Sequence, residues 1–185
     1  MPFTHRFLII ASMLVTACPG QTPESKAPAP LQTMKLTSTA FQNGASIPAK
    51  FTGDGADVSP ALAWTDAPAG TKSFALICDD PDAPLGTWVH WVLWNIPGST
   101  TSLLEGVEKN HALPPGTQQG KNDFGNLDYG GPAPPRGKPH RYYFKLYALD
   151  AELLLKPASK KKALVKAMEG HILAESEWMG TYQRR

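Results

Sequence analysis

Cysteine is scarce: Cys18 and Cys78 are the only two in 185 residues. A disulfide scaffold is therefore excluded, and Cys78, inside an apolar run, reads as a small buried hydrophobe. Clustered charge is also missing. The 18 Lys and Arg nearly balance 16 Asp and Glu, which leaves no basic face for duplex DNA or RNA and excludes a nucleic-acid partner. The one basic run, Lys160 to Lys162, reads as a solvated helix end. The only long apolar stretch, Phe7 to Val15, is too short to span a bilayer. Strand and helix patterns do not alternate, which argues against a parallel α/β sheet. No HExxH pattern, no calcium loop and no Gly-x-Ser-x-Gly occurs, so the common signatures of zinc proteases, EF-hands and serine hydrolases are all absent. What the chain does have is 42% hydrophobic residues, enough for a core, and 18 prolines.

The first segment carries Arg6, an apolar stretch, and then Val15-Thr16-Ala17-Cys18. This resembles a bacterial lipoprotein signal, which implies removal of residues 1–17 and acylation of Cys18 as a membrane anchor. Pro19 rather than aspartate follows the cysteine, so the resemblance implies an outer-membrane anchor facing the periplasm. Residues 18–33, with Pro19, Pro23, Pro28 and Pro30 among polar residues, read as an extended, semi-rigid tether. A single domain is expected over 34–185.

Within that domain strands precede helices. Phe74 to Cys78 and Trp88 to Ile96 are apolar on both faces, as in central strands, and Tyr142 to Leu149 forms a third. Residues 172–182 alternate as a strand with one wet face. One helix is expected before Gly170, capped by Ser159, with Leu164, Ala167 and Met168 inward. The expected fold is mainly β, an antiparallel β-sandwich with peripheral helices, one of them near the C-terminus. From Ala112 to Pro139, six prolines and six glycines in 28 residues exclude regular structure. The second, Pro-rich half suggests a stiff wall with a functional role.

Three constellations could carry chemistry. Asp80-Pro81-Asp82-Ala83-Pro84 follows the first central strand, and His90 lies in Trp88-Val89-His90-Trp91-Val92-Leu93-Trp94. Simple alternation puts His90 on a face with Trp88, Val92 and Trp94, where it is either a satisfied core histidine or a site residue. Asp80 and Asp82 either face a site or hold their own loop by turn-type hydrogen bonds. His140 and Tyr142, two apart in a strand, point to one side.

Those motifs, with Asn95-Ile96-Pro97, Gly130-Gly131-Pro132-Ala133-Pro134-Pro135, Asp57-Val58-Ser59-Pro60 and Asn122-Asp123-Phe124-Gly125, resemble the phosphatidylethanolamine-binding protein family, in its bacterial Raf kinase inhibitor-like branch. The resemblance covers essentially residues 35–184. It implies a β-sandwich with a pocket for a small anion or a phospholipid head group, built from Asp80, Asp82, Pro84, Trp88, His90, Pro134, His140 and Tyr142. Imidazole N–H and phenol O–H groups can donate to an anion and carboxylates cannot, so the acids would orient the histidines and keep them protonated. His111 and His171 lie outside these motifs. The expected function is that of a membrane-tethered binding protein that needs no cofactor or metal and does no catalysis. An inhibitor-like action on a protease or kinase is the regulatory role the family implies. The protein target and self-association as a homodimer stay open. The alternative is a metal-dependent hydrolase using Asp80, Asp82, His90 and His140.

Overall fold

The computed structural model describes residues 1, 32–107 and 111–184. The signal segment, Cys18 and most of the tether lie outside the described residues. Pairing begins at Gln32, ahead of the domain start expected at Met34.

The elements in chain order are β1 (Gln32–Thr33), β2 (Lys35–Thr37), a 3-10 turn at Ala49–Phe51, β3 (Leu62–Thr65), β4 (Ser73–Asp80), β5 (Trp88–Pro97), β6 (Ser102–Leu103), β7 (Gln118–Gln119), β8 (His140–Leu149), α1 (Lys161–Met168) and β9 (Ile172–Tyr182). They form a six-stranded sheet in the order β1-β9-β8-β4-β5-β7 and a three-stranded sheet in the order β2-β3-β6. Every pairing is antiparallel except β1 with β9.

The apolar runs dictate the layering. β4 is buried along its whole length because β5 and β8 flank it and both of its faces are covered. On one face Phe74, Leu76 and Cys78 meet Leu36, Leu62, Trp64 and Leu103 of the small sheet, with Trp91, Leu93, Phe144 and Leu146 beside them. On the other face Ala75, Ile77, Val92 and Trp94 are covered by Leu153, Leu164 and Met168. Each large side chain withdrawn from water in these layers contributes about 1.5 to 3 kcal/mol. The antiparallel sandwich with a helix near the C-terminus is as expected, and the helix closes its second face.

α1 differs from the expectation at its start. Its N-cap is Lys160, with no side-chain cap, while the Ser159 hydroxyl donates to the Lys156 carbonyl. Lys161 is only partly solvated and turns inward to Asp79. Asp79 is only 1% exposed and also accepts from Lys145 Nζ at 3.0 Å. The period-two geometry of β4 sends Asp80 to the sandwich side and Asp79 to the helix side, so two adjacent carboxylates serve different layers.

β5 departs from simple alternation. Cys78 pairs with Trp91 and Asp79 with Val89, which leaves His90 as an extra residue, a β-bulge. In consequence Val89, Val92 and Trp94 share the helix-side core, Trp91 and Leu93 face the small sheet, and His90 is released from the face it was expected to share with Val92 and Trp94. A second irregularity lies between Phe74 and Leu76. Near it, Asn95 adopts φ 53° and its side chain accepts from Leu153 N at 2.8 Å and donates to Leu153 O at 3.1 Å.

Candidate functional site

The ends of β4, β5 and β8 and the Pro/Gly-rich segment enclose a cavity of about 290 Å³. Asp80, Pro84, Trp88, His90, Pro134, His140 and Tyr142 line it, together with Ala83, Leu85, Phe124, Ala133 and Pro135.

Asp80 ends β4 and is 3% exposed. One carboxylate oxygen accepts from the Asp82 backbone N–H at 2.8 Å, which shapes the loop. The other accepts from His140 Nδ1 at 2.7 Å. Asp80 thus lines the cavity and also holds its own loop. Because His140 donates through Nδ1, its Nε2 carries a proton only in the imidazolium form.

His90 sits at the bulge with Nδ1 donating to the Gly130 carbonyl at 2.5 Å, while the Gly130 N–H donates to the His90 carbonyl at 3.0 Å. Burial holds the imidazole below its usual pKa, against the opposing pull of the Gly130 carbonyl and the charges of Asp80, Asp79 and Asp57. In the neutral ring Nε2 is an acceptor. The expectation that both histidines are kept protonated is thus corrected at His90, because desolvation outweighs the neighbouring acids.

Tyr142 points from β8 to the same side as His140 and packs edge-on to His90, with ring centroids 5.1 Å apart. Burial, and then the Asp80 charge, raise its phenol pKa well above the ordinary value, so it stays a donor throughout the neutral range. Its buried hydroxyl lies close enough to the Asp80 carboxylate for that interaction also to raise the phenol pKa, but out of hydrogen-bond geometry with it, and the buried indole N–H of Trp88 has no hydrogen-bond partner among the described residues.

Asp82 does not line the cavity. Its carboxylate takes Arg141 in a two-point pair, at 2.9 Å from Nε and 2.7 Å from Nη2, and also accepts the Arg141 backbone N–H at 2.9 Å. That pair holds the Asp82 carboxyl down at about 2. The pair staples the loop after β4 to the start of β8 and places Asp82, expected among the ligand-binding residues, outside the cavity lining.

The wall opposite the strands is positioned from a distance. Gly131 N–H donates to Asp57 Oδ1 at 2.6 Å, and a Cβ at Gly131 would lie 2.6 Å from that same oxygen and 2.7 Å from the Phe51 carbonyl. Only glycine fits, and this fixes the start of the run that delivers Ala133, Pro134 and Pro135.

Phe124 was not singled out from the sequence as a lining residue. Asn122, 1% exposed, donates to the Asp128 carbonyl at 2.9 Å and accepts from Asn126 N at 2.9 Å. Asp123 accepts from Val89 N at 2.9 Å. This clamp on the bulged strand holds Phe124 edge-on to Trp88 and His90, at 5.5 and 5.3 Å. The available signal was an aromatic residue among turn formers, adjacent to two side chains that could clamp it. Leu85, 95% exposed, and Pro135 were missed for want of any such signal. His111 is exposed, and His171 pairs with Asp150 at 2.8 Å, so both lie away from the cavity.

The metal-hydrolase alternative loses its donor set. Asp82 is committed to Arg141, His90 Nδ1 to a carbonyl, and Asp80 to His140. Among the described residues no group of three or more His, Cys, Asp or Glu is placed to hold a metal ion.

The fold is thus a two-sheet sandwich with a small, largely apolar cavity at the strand ends, bordered by a paired acid and imidazole. The sequence model described as phosphatidylethanolamine-binding protein matches residues 37–183. The chain is 50% identical over 151 residues to a UPF0098 protein of Methanothermobacter thermautotrophicus, covering 82% of this chain and 99% of that one. It is also 50% identical over 153 residues to a UPF0098 protein of Aquifex aeolicus, covering 82% and 89%. Among solved structures it resembles E. coli YbcL, described as a new member of the mammalian PEBP family, at a TM-score of 0.76 and 36% identity over 82% of this chain and 99% of that one. It also resembles CT736 of Chlamydia trachomatis, a putative PEBP homolog, at a TM-score of 0.75 and 40% identity over 82% and 98%. The chain belongs to the phosphatidylethanolamine-binding protein family.

Proposed function

We propose that this protein is a membrane-tethered binding module that holds a small anion, phosphate or a phospholipid head group, in the cavity and acts by binding rather than by catalysis. The observation that carries the reading is a pair of buried donors on cavity-lining residues: Trp88 N–H, which has no partner among the described residues, and Tyr142 O–H, which has only the Asp80 carboxylate beside it and is not in hydrogen-bond geometry with it. A buried donor without an acceptor costs about 1 to 3 kcal/mol, and an anion's oxygens would recover that cost. Asp80 does not repel such a ligand once His140 is an imidazolium: the pair is then neutral overall and Nε2 becomes a third donor. Neutral His90 supplies an acceptor, which suits a ligand that also carries an acidic or ammonium hydrogen. By analogy with the family, the loaded or empty pocket surface would regulate a protease or kinase partner at the envelope, with Cys18 as the lipid anchor and the domain facing the periplasm.

The test is calorimetric titration with dimethyl phosphate, whose charge does not change with pH. His140→Ala weakens binding by about 1.5 to 3 kcal/mol, the range for a hydrogen bond to a charged group. Absence of saturable binding, or equal affinity in the variant, refutes the assignment.

A further inference from the structure

A second concavity, about 530 Å³, lies on the helix side of the large sheet between α1 and residues 121–123. Five lysines line it, from both walls, in a chain whose charges otherwise nearly balance. Two of them are satisfied within the fold. Lys161 is turned onto buried Asp79, and Lys160 Nζ stands 3.8 Å from Asp123 Oδ1. Lys121, Lys162 and Lys166 are exposed and have no carboxylate within ion-pair distance among the described residues. Two acids line the groove: Asp123, which takes the Val89 N–H and faces Lys160, and Glu169 at the rim. The Lys160–Lys162 run is therefore divided: two members serve the fold, and the third joins a set of cations drawn from two segments.

We propose that this groove is a docking site for an acidic segment of a partner protein, with carboxylates interleaved with aliphatic side chains. Charge complementarity selects the acids, since three uncompensated cations converge on one groove. Val89 forms apolar floor and Val165, 42% exposed, apolar rim, which gives aliphatic side chains a place between the charges. No arginine lines the groove, so the planar fork that selects a single phosphate or carboxylate is missing. Flexible point charges suit several spaced carboxylates instead. Lys162, Val165, Lys166 and Glu169 share one helix face, and Lys121 stands on the facing wall. Cations on both walls of a concavity meet a chain that enters it; a flat bilayer would be met by one rim.

The test uses the full-length protein in phosphatidylcholine nanodiscs and a fluorescein-labelled peptide in which paired Glu alternate with single Leu, read by anisotropy. The acidic peptide binds saturably, a control with Lys in place of Glu does not, and affinity falls as salt is raised from about 25 to about 200 mM. Lys162→Glu with Lys166→Glu lowers affinity by more than about tenfold, and Lys121→Glu on the other wall by about threefold or more. If the charge-reversed double variant fails to fold, Lys162→Gln with Lys166→Gln takes its place, and unchanged affinity in the folded variant overturns the proposal. Lack of saturable binding, or equal binding of the basic control, overturns it too. So does loss of peptide binding through the same lysines when about a third of the lipid is phosphatidylglycerol, since the face would then belong to the membrane.

Discussion

Two carboxylates two residues apart illustrate how little residue type alone decides. Asp80 is buried in the cavity and orients His140, whereas Asp82 is bound to exposed Arg141 outside it. Asp82→Asn is expected to leave dimethyl phosphate affinity within about twofold, because a rim ion pair contributes little. Tyr142→Phe, which removes one cavity donor without changing ring packing, weakens the same affinity by about 1.5 to 3 kcal/mol and changes the stability of the free protein by less than about 1 kcal/mol. Parallel titrations and melts of the two variants check this contrast; a stronger effect at Asp82 than at Tyr142 would reverse the assignment of donors. His90 supplies a pH signature of its own. Burial holds its folded pKa below the ordinary histidine value of about 6.5, so between the two values the unfolded chain takes up the proton more readily. The stabilisation from keeping His90 neutral is complete above that value and is lost as pH falls through the lowered folded pKa. Urea midpoints from pH 7.5 down to about pH 5 should fall more steeply in the wild type than in His90→Gln, and identical slopes would show that His90 does not titrate in this way.

At the scale of elements, what could be read in the sequence was what rests on periodicity. The three central strands, the last strand with its wet face and the helix before Gly170 all follow from apolar spacing, and so does the shared side of His140 and Tyr142. The bulge at His90 was not legible, because an inserted residue within an unbroken apolar run leaves the composition of both faces unchanged. Alternation therefore assigned His90 to the layer that in fact holds Val92 and Trp94. Nor was the inward turn of Lys161, which depends on Asp79 emerging at the helix side of β4, a contact across 82 positions of sequence. That pairing pins α1 to the sheet. Asp79→Ala leaves Lys145 and Lys161 facing a cavity, though both side chains are about 30% exposed and reach water. The expected loss is about 2 to 3 kcal/mol, below the 3 to 5 kcal/mol for breaking a fully buried pair. Denaturation measures it, and a loss below about 0.5 kcal/mol would mean that α1 is held by Leu164 and Met168 alone.

For the whole molecule, the cavity and the point where the described chain enters the domain lie at separate places on the fold. β1 runs along β9 at one edge of the large sheet, while β5 and β7 close the other edge, and the cavity opens at the strand ends between them. The chain ahead of Gln32 thus joins the domain at an edge strand and not at the cavity wall. In the proposed lipoprotein reading, membrane attachment depends on one thiol, since only position 18 can take the diacylglyceryl group. Cys18→Ala is therefore expected to move the protein from the membrane fraction to a soluble or unprocessed form, while dimethyl phosphate affinity and thermal stability stay at wild-type values because no described core or cavity residue changes. Fractionation with mass spectrometry of the N-terminus reads both the anchor and the cleavage site. A variant that stays in the membrane fraction and is cut at the same place would show that the anchor is not Cys18, and a variant that loses ligand affinity would show that the tether contributes to the pocket.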